Sequence, residues 1–100
     1  MPDLDSPASF AGYDPKGMLA HITGLPDQCE RAWEESTSIS LPVKYRQATG
    51  ILILGLGGSA IGGDLLRCLV SAECSVPIVL HRDYGLPAWV NDQTLVIACS

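Results

Sequence analysis

Residues 51–66 read ILILGLGGSAIGGDLL. Ile51 to Leu54 form an aliphatic run without a polar break, as expected of a strand buried on both faces of a parallel sheet. Gly55, Gly57, Gly58, Gly62 and Gly63 follow within nine positions. A helical pattern begins at once, predicted over residues 59–72. Ile61, Leu65 and Leu69 make an i, i+4 row, which Leu66 and Val70 widen into an apolar stripe. A glycine loop between a strand and a helix is built to hold something at the strand's end, and an anion suits it best.

The rest of the chain fits the same plan. Val76 to Leu80 is a second expected strand, His81 to Val90 a loop with Gly85 and Pro87, and Thr94 to Cys99 a third strand. Right-handed crossovers place the first strand between the other two, in a parallel, doubly wound α/β sheet. Three strands ending at Ser100, with no helix after the last, lead to the expectation of an N-terminal fragment of a longer protein. Residues 1–50 are expected to hold a lead-in and two helices, and residues 51–100 the first part of the α/β domain. Residues 1–13 read as a loose lead-in. Asp14 and Pro15 read as the N-cap and first residue of a helix carrying Met18, Leu19 and Ile22 on one face, with Gly24 as its C-cap. A second helix restarts at Leu25-Pro26-Asp27 and turns Cys29, Ala32 and Trp33 inward. Residues 36–43 read as a linker.

Composition narrows the function. The net charge of -5 leaves no basic face for nucleic acid. The apolar runs fall well short of the roughly 18 residues a membrane helix needs. MPDLDSPASF lacks the basic-then-apolar order of a signal peptide. Cys29, Cys68, Cys74 and Cys99 show no CxxC spacing and read as reduced thiols of a cytoplasmic protein. His21 and His81 are not spaced as partners in a zinc site, so no metal is expected.

Three phosphate loops compete for residues 55–64. Gly57 and Gly62 have the spacing of the nucleoside-triphosphate loop, but Gly63 and Asp64 stand where its Lys and Ser/Thr belong. Gly55, Gly57 and Ala60 meet the dinucleotide fingerprint, with Asp83 near the place of its acidic residue, although Arg82 beside it muddles a ribose contact. In the third reading Gly58 lets the backbone approach an anion without Cβ interference, and Ser59 adds a hydroxyl at the helix N-terminus. A single phosphoryl group of a sugar suits so small a site. Against ligand contact stands a plain N-cap role for Ser59. Gly62 and Gly63 read as permitting close helix–sheet packing, and Asp64 as pointing away from the ligand.

GLGGSAIGGDLL, followed by VPIVLHRDYGLPAWV and LVIACS, resembles the start of the bifunctional phosphoglucose/phosphomannose isomerases of the sugar isomerase (SIS) superfamily. DPKGMLAHITGLPDQCERAW resembles that family's N-terminal helical segment, so the similarity spans roughly residues 13–100. The resemblance implies a flavodoxin-like SIS domain, here in part. It implies interconversion of glucose 6-phosphate or mannose 6-phosphate with fructose 6-phosphate, without metal or other cofactor, by an enzyme that is a homodimer when complete. By it Gly58 and Ser59 contact substrate, and Ser100 opens a second phosphate loop. The family's base, ring-opening, lysine and arginine residues have no counterpart among these 100 residues, so no catalytic residue is assigned and the fragment alone is expected to be inactive. A non-catalytic phosphosugar-binding module and an NAD- or FAD-binding domain are the alternatives. His81 is expected to be structural or solvent-exposed, Asp83 and Tyr84 to shape their loop, and Trp33 and Trp89 to pack.

Overall fold

The computed structural model describes residues 3–100. The chain groups into two compact units, one ending at Ser40 and the other spanning Leu41–Ser100.

The first unit is helical. A 3-10 turn, Pro7–Ser9, leads into α1, Phe10–Tyr13. The lead-in is therefore more ordered than its composition suggests, because the Ser9 hydroxyl closes the turn on the carbonyls of Asp3 (2.9 Å) and Ser6 (2.8 Å). Helix α2 runs Met18–Thr23 and α3 Leu25–Thr37. Asp14 caps α2 from further upstream than its sequence position implied. Its carboxylate accepts the amides of Met18 (2.7 Å) and Leu19 (2.8 Å), while Gly17, at φ 70°, turns the chain between them. Two of the helix's orphan donors are satisfied in this way. Gly24 stays right-handed at φ -82° and joins α2 directly to α3, so it is not a left-handed cap. The ladder breaks there because Pro26 has no N–H to offer.

Helix α3 continues past Ser36, where a linker was expected. The hydroxyls of Ser36, Thr37 and Ser38 bond back to the carbonyls of Trp33, Glu34 and Glu35 and finish the last turn. Cys29, Ala32 and Trp33 do not turn inward: all three are exposed, Trp33 by 72%. A six-residue helix beside α3 offers too little surface to enclose an indole ring.

The second unit carries the sheet. After a 3-10 turn at Val43–Gln47 come β1 (Gly50–Leu54), a 3-10 turn (Gly57–Ala60), α4 (Ile61–Val70), β2 (Ile78–His81) and β3 (Thr94–Ala98). All pairing is parallel and the order is β2-β1-β3, as expected of a doubly wound sheet. Leu52 faces Val79 and Val96, and Ile53 faces Leu80 and Ile97. Strand β2 starts two residues later than the apolar run, because Pro77 cannot donate to the ladder; its carbonyl instead accepts the Ile51 amide at 2.9 Å.

The buried positions are Gly50, Leu52, Ile53, Ala60 and Gly63. Gly63 sets α4 on the Ile53 side of the sheet, and the Trp89 ring lies against Gly50 on the other side. Burying Leu52 and Ile53 contributes roughly 2 kcal/mol apiece, by the usual transfer scale. The flanking strands are less covered, with Val79, Val96 and Ile97 about two-fifths exposed. No described helix is long and apolar enough to cross a membrane.

Candidate functional site

The carboxyl ends of β1 and β3 meet at the point where the strand order reverses, the crevice in which open α/β sheets bind ligands. The Cys99 amide donates to the Leu54 carbonyl at 2.8 Å. That bond sets the end of β3 beside the end of β1, with Ser100 one residue further on. Gly58, Ser59 and Ser100 thus share one end of the sheet, and all three are exposed.

Each glycine in the loop has a different reason to be there. At Gly55 a Cβ would press on backbone, 3.1 Å from the Ala60 nitrogen and 3.2 Å from its Cα, so a side chain there would force the loop to shift by a few tenths of an ångström. Gly57 adopts φ 57°, the left-handed region. Beyond Gly58 there is nothing within 4 Å of where a Cβ would sit. That space is open to a visiting group.

As the first residues of the 3-10 turn, Gly57 and Gly58 have amides with no acceptor inside it. The Ser59 amide, by contrast, donates to the Leu56 carbonyl at 3.2 Å. Ser59 does not cap α4: Ala60 holds that position and no side chain caps the helix. Among the described residues the Ser59 hydroxyl has no hydrogen-bond partner and can donate outward. The arrangement suits a small anion at the positive end of a ten-residue helix.

Asp64, one turn into α4, is engaged with two arginines. Its carboxylate accepts Arg67 at 2.8 Å and Arg82 at 3.3 Å, one oxygen to each. The hydrogen bond from Arg67, and then that from Arg82, hold its pKa below the ordinary carboxylate value. It stays ionised, with its charge offset by two guanidinium groups. The Asp64–Arg67 contact is legible as an i, i+3 pair; the contact with Arg82 crosses from helix to strand end and has no local signature.

His81 ends β2, and its carbonyl accepts the Gly55 amide at 3.3 Å. Its side chain is half-buried rather than exposed, and Nε2 is enclosed without a partner. Asp83 accepts the Tyr84 amide at 2.7 Å, the loop-shaping role expected of it. Trp89 packs on Gly50, whereas Tyr84 is 86% exposed. Cys29, Cys68, Cys74 and Cys99 are all free thiols. Two shallow grooves, of about 380 Å³ beside Tyr45 and Asp92 and about 260 Å³ beside Trp89, open near the amino ends of the strands, away from the glycine loop.

The bifunctional phosphoglucose/phosphomannose isomerase of Caldicellulosiruptor bescii is 47% identical to this chain over 83 residues. The chain is a relative of these isomerases. The matched part is 83% of this chain and 24% of the C. bescii isomerase, so the chain spans about a quarter of that relative's length. No family model matches the chain, and no solved structure matches it.

Proposed function

We propose that these residues form part of a phosphosugar isomerase that interconverts glucose 6-phosphate or mannose 6-phosphate with fructose 6-phosphate. In this reading Gly58, Ser59 and Ser100 bind the substrate's phosphorylated end. The observation that carries it is the uncommitted Ser59 hydroxyl beside the open space at Gly58, at the same sheet end as Ser100. The relative named for this pair of activities supplies the substrate class. A dinucleotide is less well served, because Asp83 is turned onto the Tyr84 amide instead of outward to a ribose.

Aldose–ketose isomerisation moves a proton between C1 and C2 and needs a base of suitable pKa, with a second group to open the ring. By the resemblance, that base and that ring-opening group have no counterpart among these residues. The reading therefore assigns proton transfer to parts of the enzyme outside these residues, and binding and orientation of substrate to the residues here. It also takes the enzyme to be cytoplasmic, as the cysteine spacing suggests, and to work without metal and act as a homodimer, as the resemblance implies.

The test is a coupled assay on the complete gene product. Fructose 6-phosphate formed from both glucose 6-phosphate and mannose 6-phosphate, and unaffected by chelators, supports the proposal. A product that turns over neither sugar phosphate overturns it.

A further inference from the structure

Helix α4 rests on β1 and packs against β2. Gly63 sits on Ile53, and the Gly55 turn lies against the backbone of Ala60. Both contacts lie over β1 and fix the height of the helix above the sheet. The helix also lies against β2, the strand that leads to Arg82. The long apolar side chains that would resist a swing are largely free: Ile61, Leu65, Leu66 and Leu69 are each 45% exposed or more. Asp64 adds a charged tie on the β2 side. It takes Arg67 from its own helix and Arg82 from the residue just past β2.

We propose that Asp64 and Arg82 are a positioning pair that fixes α4 laterally and thereby aims Gly58 and Ser59 at the phosphoryl group. The proposal rests on the phosphosugar reading above. Ser59 lies five residues before Asp64, about 7–8 Å along a helix axis at 1.5 Å per residue. A swing of about 10° about Asp64 moves Ser59 by more than about 1 Å, enough to spoil a hydrogen bond that tolerates only a few tenths. Because the pair is open to water, its contribution to folding is small, and its effect belongs to ligand geometry.

The complete enzyme is assayed with Asp64→Asn, Arg82→Gln, Arg82→Lys and Arg67→Ala, and inorganic phosphate is used as a competitive inhibitor. The expected result is a KM and a phosphate Ki raised about ten-fold in Asp64→Asn and Arg82→Gln, with kcat within about two-fold, as loss of a binding contact requires. Arg82→Lys recovers most of the affinity. Arg67→Ala stays near wild type, because it leaves the tie to β2 intact. Loss of folded enzyme would instead lower the apparent kcat at unchanged KM. The proposal is overturned if KM and Ki are unchanged in Asp64→Asn and Arg82→Gln, or if Arg67→Ala raises them as much. A wild-type enzyme that neither turns over nor binds phosphate rejects the phosphosugar reading itself, and this pair's role with it.

Discussion

Gly63 lies so close over Ile53 that a Cβ at Gly63 would stand 2.8 Å from Ile53 Cγ2 and 2.9 Å from Cδ1. Its neighbour Gly62 has nothing within 4 Å. The two glycines look alike in sequence but have opposite consequences. Gly62→Ala gains helix propensity alone and should stabilise the fold by up to about 1 kcal/mol. Gly63→Ala gains the same propensity but must displace a buried Ile53, and overpacking costs about 1–3 kcal/mol. The net expectation for Gly63→Ala is a loss of up to about 2 kcal/mol. Urea denaturation of the two variants should move their midpoints in opposite directions; equal shifts would contradict the helix–sheet contact.

Gly58 and Ser59 separate binding from folding. Nothing lies within 4 Å of a Cβ at Gly58, and the Ser59 hydroxyl has no hydrogen-bond partner among the described residues. Gly58→Ala and Ser59→Ala should therefore leave the melting temperature within about 1 °C, as surface changes do. In the complete enzyme both should raise KM for the sugar phosphate. A hydrogen bond to a charged group is worth roughly 1.5–3 kcal/mol, about ten- to a hundred-fold for Ser59→Ala. An unchanged KM in both variants would remove this loop from the site.

Gly57 tests the shape of the loop. At φ 57° an alanine pays roughly 1 kcal/mol or more in backbone strain, and asparagine less. Stability should rank Gly, then Asn, then Ala by urea midpoint. An alanine as stable as glycine would mean that the loop does not pass through the left-handed region there.

The sheet was readable because its signals are local or topological. Ile51 to Leu54 read as a strand buried on both faces, and right-handed crossovers in a doubly wound sheet favour β2-β1-β3. Gly58, Ser59 and Ser100 could be placed at one end because parallel strands deliver their carboxyl ends together. What escaped depends on side-chain reach or helix phase. Asp14 caps Met18 and Leu19 only because Gly17 bends the chain back toward it. Which of Gly62 and Gly63 faces the sheet turns on where α4 begins, and Ala60, not Ser59, holds its cap position. Trp33 shows the limit of periodicity: an apolar residue at the right spacing stays exposed when its helix meets too small a partner.

Asp14 gives a pH signature confined to the first unit. The Leu19 amide, then the Met18 amide, hold its carboxyl below the ordinary value of 3.8. A lowered folded pKa means that ionised Asp14 favours the folded helix. That stabilisation is fully present above the unfolded value and is lost as pH falls through the folded one. The amide protons of Met18 and Leu19 should therefore keep their hydrogen-bonded shifts down to about pH 4, the usual aspartate range, and move together below it. Asp14→Ala should abolish that titration and fray the first turn of α2 at neutral pH, while the amides of β1 stay unchanged. Movement of the two amides at or above the ordinary aspartate pKa, or unchanged shifts in Asp14→Ala, would show that the cap does not form in solution.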